Sequence, residues 1–407
     1  MSENLVISSL LTVPTLARNG RSQLTVGIQL NGGQRFWANC VDVPAASRVG
    51  ETAVFDPIQA ANQIQQVVVP LWQGQPAAEF RPLAHMLLPL TETFTYNKIT
   101  PPRPKPVTGA VSRRSLITGF LAEETPPAPK EETVTVKRPL HPALQYGLTA
   151  ALLQAVAAVN RETVAALVAR EYALDWVDTA VPLHIALNDE NIQTASAILA
   201  THVAALGYTT GENNHKNTLG ANAERLQHHL RQVAAWLPTL NSDFQPMLHL
   251  DLRDSFSELF NNDEGKVLGA LAGLEQAVKP FKLAIQNPVW QNGREAQQKS
   301  LQKLVGYFAI RRMTSRLVAD AWVDSPEDAA HFANPKVCHM VHIELPRLGN
   351  LEGAITAVLH LKSQNQPLLL SGEAAALTTH IALALRPTWL SGPPQLHYNE
   401  MQKLHQP

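Results

Sequence analysis

Four apolar runs of β type recur through the second half of the chain, each closing on a polar residue. They are Met247-Leu-His-Leu-Asp-Leu252, Phe281-Lys-Leu-Ala-Ile-Gln286, Arg316-Leu-Val-Ala-Asp320 and His339-Met-Val-His-Ile-Glu-Leu345. The closing residues Asp251, Gln286, Asp320 and Glu344 are spaced by 35, 34 and 24 positions (251 to 286, 286 to 320, 320 to 344). The segments between the runs, such as Asp263 to Val278, are long enough for a crossover helix. Strand, helix, strand repeated in this way predicts parallel βαβ units. In a (β/α)8 barrel the functional groups project from the C-terminal ends of the strands, so these four residues are expected at one mouth.

The same patterning places the remaining elements. Ser22 to Leu30 alternates at period two, Asn31-Gly32-Gly33 turns it, and Arg35 to Val41 returns, which predicts a hairpin. Asp56 caps a helix that starts at Pro57 and runs through Ile58, Ile64 and Val68. From His141 to Arg170, Leu144, Leu148, Leu152 and Val156 recur every four residues with Ala143, Ala151 and Ala155 beside them, so the helix has small residues for close packing. Val181 to Leu187 reads as the first barrel strand, and Ser196 to Leu206 and Ala221 to Leu237 as helices. The second barrel strand is weakly marked, with only Pro238 to Asp243 as a candidate. Leu351 to Leu361 predicts a helix, Pro367 to Ser371 the seventh strand and Ala374 to Leu385 a further helix, followed by a Pro-rich polar tail from Pro387.

Composition refines this outline. A chain of 407 residues with 45% apolar content has material for one barrel and a smaller domain. The net charge of −1 gives no sign of nucleic acid or of an anionic membrane surface as partner. Cys40 and Cys338 are far apart without metal-site spacing and read as two buried free thiols. No leader signal opens the chain and no run reaches membrane-spanning length, so the expectation is a soluble, cytoplasmic protein. The expected division is an α+β capping domain over 1–98, a Pro-rich flexible insertion over 99–138, a helix completing the cap over 139–172, and a barrel over 173–407. Inside the insertion, Ser115 to Leu121 reads as a surface strap or a docking segment. The pair His228-His229 reads as a solvated helix face.

The runs "PMLHLDL", "VKPFKLAIQNP", "LVADAW" and "HMVHIELPRLG" resemble the core of the methylaspartate ammonia-lyase family of the enolase superfamily. The likeness extends through His141 to Thr149, Val181-Pro182, Thr378 to Ala384 and Asn399-Glu-Met401. It implies an enolase-like fold: a (β/α)7–8 TIM-type barrel with an N-terminal α+β capping domain. It also implies the family's chemistry, in which carboxylates at three strand ends hold Mg²⁺ and a Lys at the next takes the proton beside a carboxylate. On this resemblance Asp251 and Asp320 stand at metal-ligand positions. Gln286 replaces the Glu between them, and Glu344 replaces the Lys base. A second base, a His, falls near Thr209, a substrate-binding Gln at Ala186, and a Gly-Gly-Thr-Cys turn is shortened to Ser371-Gly-Glu-Ala-Ala375.

Three readings of the mouth follow. In the first the chain is a catalytically degenerate homologue or partner subunit, because Mg²⁺ wants hard anionic oxygens and both a ligand and the base are replaced. Any Mg²⁺ is then held weakly or not at all. In the second it is a divergent metal-dependent carbon–nitrogen lyase, or another superfamily enzyme abstracting a proton beside a carboxylate. Glu344 and His342 alternate on one strand and face inward as catalytic candidates. Asp251, Gln286 and Asp320 form a degenerate metal set, and His249, on the same face as Asp251, is a substrate-binding candidate. In the third it is a structural subunit or a sensor of a small acid. The expected partners are a second copy in a dimer or an intact homologue, with a small dicarboxylic amino acid as ligand.

Overall fold

The computed structural model of the chain describes residues 5–16, 22–46, 55–100, 130–175, 179–186, 203–210, 219–240 and 242–392. At the N-terminus β1 (Ile7–Leu16), β2 (Ser22–Leu30) and β3 (Arg35–Cys40) form an antiparallel sheet in that order. β1 joins the hairpin read from the sequence as an extra strand, its Leu16 opposite Ser22 and its Leu10 opposite Ile28. The cap at Asp56 forms as expected: its Oδ1 accepts the N–H groups of Ile58 and Gln59 at 2.8 and 3.2 Å. Beyond Pro57–Gln63 this helix widens into a π turn over Ile64–Val68 before ending at Trp72.

The stretch expected to be a flexible insertion is framed by an antiparallel ribbon, β4 (Thr91–Thr100) and β5 (Lys130–Pro139), with Thr91 opposite Pro139 and Thr100 opposite Lys130. Alternation of Thr with β-branched and aromatic residues ("TETFTYNKIT", "EETVTV") explains why these ends pair. The centre of the insertion, with Ser115–Leu121, lies outside the described residues.

The helix Pro142–Asn160 joins cap to barrel. Its length and apolar composition would suit a membrane span, but most of it is buried within this fold. Its small residues have the expected use. A Cβ on Gly147 would lie 2.5 Å from the Cys40 Sγ, so only glycine allows the helix to seat on β3. On the barrel side, Thr149 Oγ1 accepts the N–H of Leu351 at 3.1 Å, and Asn350 Nδ2 donates to the carbonyl of Ala84 at 2.9 Å.

Eight parallel strands close the barrel: β6 (Leu183–Ala186), β7 (Val203–Thr209), β8 (Met247–Asp251), β9 (Leu283–Gln286), β10 (Arg316–Ala319), β11 (Met340–Glu344), β12 (Leu368–Ser371) and β13 (Trp389–Ser391). The four runs read from the sequence are β8 to β11, and the expected first and seventh strands are β6 and β12. Two expectations change. The second barrel strand is β7, not Pro238 to Asp243, so Val203 to Leu206 is strand rather than helix. Val203-Ala-Ala-Leu-Gly-Tyr-Thr209 is apolar without helical or alternating period, as a fully buried parallel strand is. Pro238 instead sits inside the helix Glu224–Leu240. The eighth strand is β13, in the tail expected to be irregular, where Leu390 pairs with Leu183 and Ser391 with His184.

Candidate functional site

Each barrel strand ends at the same rim, and the rim carries the candidate residues. Asp251 pairs with Gln286 in register, and Gln286 with Val318, two residues before Asp320. Glu344 pairs with Ser371, and Ser371 with Ser391. Asp251, Gln286, Asp320 and Glu344 therefore do share one mouth, as their spacing predicted.

Asp320 is its centre. Asp320 is 9% exposed, yet three donors reach its carboxylate. Asn287 Nδ2 donates to Oδ2 at 2.8 Å, His342 Nδ1 lies 3.0 Å from Oδ1, and an Arg347 Nη2 donates to the same Oδ1 in a very short contact. Burial alone would push this carboxyl up, but the Arg347 guanidinium and His342 outweigh it and hold Asp320 well below the usual range. Asn287 adopts a left-handed φ of 46° and is fixed at its other end, where Oδ1 accepts the Ala321 N–H at 3.1 Å.

Arg347 lies on the short helix Leu345–Leu348 that follows β11 directly. It is three residues past Glu344, and its Nη2 is 3.8 Å from Glu344 Oε2. Its side chain is 7% exposed. Burial works against the charge, but Asp320 and Glu344 more than compensate, so the guanidinium stays cationic.

His342 Nε2 is 2.8 Å from the Ser371 hydroxyl. Its other ring nitrogen, Nδ1, faces Asp320, so the imidazole bridges the carboxylate and the serine hydroxyl. Gln286 is buried. Its amide nitrogen lies 3.4 Å from His342 Nδ1, and its Oε1 has no hydrogen-bond partner.

On the β8 side the carboxyls behave differently. Asp251 Oδ1 accepts the N–H of Arg253 at 3.0 Å, but burial and then the charge of Asp320 push Asp251 up to about 6. Asp254, three residues on, is pushed up to about 8 by burial and then by Asp251 and Asp320, and its Oδ1 has no partner.

The inner layer beneath Gln286 is a histidine pair. His184 Nε2 is 2.8 Å from His249 Nδ1, and His184 Nδ1 is 2.9 Å from the Ser391 hydroxyl. The ring of His184 stacks near Trp389, 6.1 Å between centroids. A Cβ on Gly207 would stand 2.5 Å from His184 Nε2, so β7 needs a glycine there to admit the imidazole. Burial, and secondarily the nearby His342, lowers His184 to about 3. Burial and then His184 lower His249 as well. Both rings are neutral near pH 7. His249 is 4% exposed and bonded inside the barrel, which puts this substrate-binding candidate below the rim residues.

The other aligned positions are also at the mouth. Thr209 pairs with Asp251, Ala186 ends β6, and Ser371 opens the shortened turn. His228 is exposed and His229 packs on Tyr208, as a helix face would. Sequence reasoning missed Arg347, Asn287, Asp254, His184 and Ser391. The spacing Glu344-x-x-Arg347 was a readable signal, since residues three apart share a helical face.

The donor set does not fit Mg²⁺. A small hard dication needs several free anionic oxygens. Both oxygens of Asp320 already accept protein donors, Gln286 is neutral, and among the described residues no three His, Cys, Asp or Glu side chains are arranged to hold a metal ion. A dication on Asp320 about 4 Å from the guanidinium would also meet a repulsion of roughly 8 kcal/mol, twice the unit-charge value at an effective dielectric constant of about 20.

Comparison with known proteins locates this arrangement. The family model described as methylaspartate ammonia-lyase C-terminus matches residues 175–403, and the one described as methylaspartate ammonia-lyase N-terminus matches residues 113–173. Methylaspartate ammonia-lyase 2 of Carboxydothermus hydrogenoformans is 32% identical over 289 residues, covering 67% of this chain and 69% of that one. The solved structure of the Citrobacter amalonaticus methylaspartate ammonia lyase containing (2S,3S)-3-methylaspartic acid superposes with a TM-score of 0.77 at 21% identity, covering 98% of both chains. The muconate cycloisomerase of Pseudomonas fluorescens shares the fold with a TM-score of 0.60 at 14% identity, over 95% of this chain and 86% of that one.

Proposed function

The chain belongs to the methylaspartate ammonia-lyase family, and from that premise we propose that it is a catalytically degenerate member. It keeps the family's barrel and cap, does not deaminate 3-methylaspartate, and serves as a partner subunit to a second copy or to an intact homologue. A small dicarboxylic amino acid is the ligand class it would retain.

The observation that carries this reading is the end of β11. Where the resemblance places a Lys base, Glu344 stands 3.8 Å from Arg347. Loss of a positioned base costs about 10²–10⁴ in rate. Glu344 is a carboxyl group beside the buried Arg347, and this strand end presents no amine. The rest of the mouth supports the same reading. Asp320 is consumed by three protein donors, and Thr209 and Ala186 offer no imidazole or carboxamide.

One observation favours a second reading, a divergent lyase with a carboxylate base. Asp251 at about 6 and Asp254 at about 8 lie in the range where a carboxyl can exchange a proton near neutrality. In that reading Asp251 or Asp254, in its ionised form, takes the proton beside the substrate carboxylate and Glu344 is a bystander.

Ammonia release from 3-methylaspartate separates the two. The expected outcome is no turnover above buffer, with or without Mg²⁺. Turnover lost on Asp251→Asn and kept on Glu344→Gln would replace the first reading by the second.

A further inference from the structure

The mouth holds a full-time cation of its own. Arg347 is buried, is supplied by the four residues that follow β11, and sits on Asp320, the rim carboxylate on which three side-chain donors converge. We propose that the Arg347 guanidinium is the resident cation of the mouth, seated between Asp320 and Glu344 in the place a divalent metal would take, so that the site is assembled without one.

Four features carry this. The contact of Arg347 Nη2 is with Asp320 Oδ1, the oxygen that His342 Nδ1 also reaches at 3.0 Å, so no lone pair of that atom is left facing the mouth. Oδ2 is taken by Asn287, itself fixed to the Ala321 N–H. The neighbouring strand end is neutral Gln286, so β9 adds no anion for a metal to neutralise. Glu344 adds its carboxyl 3.8 Å from the same Nη2, which gives the cation a second acidic neighbour.

The arrangement is also anchored from behind. The helix Leu345–Leu348 is buried throughout and ends at Gly349, where an added Cβ would stand 3.0 Å from the Pro142 backbone of the capping-domain helix. Arg347 is therefore held by the seam between cap and barrel. A planar fork with fixed N–H directions suits such a site better than a flexible ammonium.

The inference concerns what neutralises the rim and stands apart from the question of turnover, so its test uses metal retention and not ammonia release. Mn²⁺ is the probe, followed by the electron paramagnetic resonance of the free ion and by calorimetry on the full chain. The wild type should leave Mn²⁺ free up to millimolar concentration. Arg347→Met combined with Gln286→Glu empties the cation seat and restores a carboxylate. It should bind Mn²⁺ at least about ten-fold more tightly, and Mn²⁺ should raise its Tm. Arg347→Gln in the same background replaces it should the Met variant not fold. Arg347→Lys, which keeps a cation, should behave as wild type toward Mn²⁺. Wild-type binding in the micromolar range that disappears on Asp320→Asn would overturn the proposal. Failure of both neutral variants to gain affinity would overturn it as well.

Discussion

The two halves of the mouth solve the same problem in opposite ways. Both bury polar groups inside an apolar barrel. The β8 to β11 half does so with charge: Asp320, Arg347 and Glu344 balance one another, while Asp251 and Asp254 are crowded upward in pKa. The half from β12 through β13 to β7 does so without charge, with the neutral His184 bonded to the equally neutral His249 of β8, two serines and a glycine. The charged half depends on partners, since any ion left alone there is costly. The neutral half depends on space, since the His184 ring fits only where β7 gives up a side chain. His342, bonded to Asp320 on one side and to Ser371 on the other, is where the halves meet.

The largest test of this contrast is removal of the cation. Arg347→Met leaves Asp320 buried without its guanidinium partner, and breaking a buried pair from one side costs about 3–5 kcal/mol. Urea denaturation at neutral pH with chelator present should show a loss of this size. A loss below about 1 kcal/mol would mean that the charged half does not depend on its partner.

On the neutral side, Gly207→Ala should cost about 1–3 kcal/mol by overpacking, because the new methyl meets the His184 ring. Pairing it with His184→Ala should return part of that loss. A double variant no better than the sum of its parts would remove the steric account of β7.

The finest test is the pH profile, where the halves have opposite signs. His184 and His249 have folded pKa values depressed below their unfolded ones. Their contribution is present above about 6.5 and is lost as pH falls toward the folded values. Asp251 and Asp254 have folded values raised, to about 6 and about 8. Their contribution is present below about 4 and is lost as pH rises through those folded values. Between pH 4 and 6 the two sets oppose each other. From about 6.5 to 8 only Asp254 is still changing, and stability should fall with a slope no steeper than about 1.4 kcal/mol per pH unit. Asp254→Asn should flatten that arm, and His184→Gln should flatten the acid arm. An unchanged alkaline slope in Asp254→Asn would dissociate the residue from it.

The charged half was also the half legible in the sequence. A strand that ends on Asp, Gln or Glu after a helical crossover announces its rim residue, and β8 to β11 could be placed from spacing alone. β7 and β13 announce nothing. Val203 to Thr209 has no charge and no period, and Trp389–Ser391 is three residues long amid prolines. Their identity as strands is set by the neighbours that pair with them, Asp251 for Thr209 and Leu183 for Leu390, a tertiary effect that local pattern does not encode. Asn287 and Arg347 were hidden for a different reason. Each lies just past a strand, where a left-handed residue or a four-residue helix redirects the chain, and strand alternation no longer says which way a side chain points.

The pairing of β13 with β6 has a consequence for how the chain is made. Leu390 meets Leu183 and Ser391 meets His184, so the ladder that closes the barrel joins segments separated by about half of the sequence. During synthesis β6 emerges early and must wait with one edge bare until β13 has left the ribosome. Until then it is a template for any passing strand. Nascent chains stalled before Trp389 should therefore be held by chaperones, and those given a C-terminal extension that carries Ser391 out of the ribosome released, which ties barrel closure to the exposure of β13.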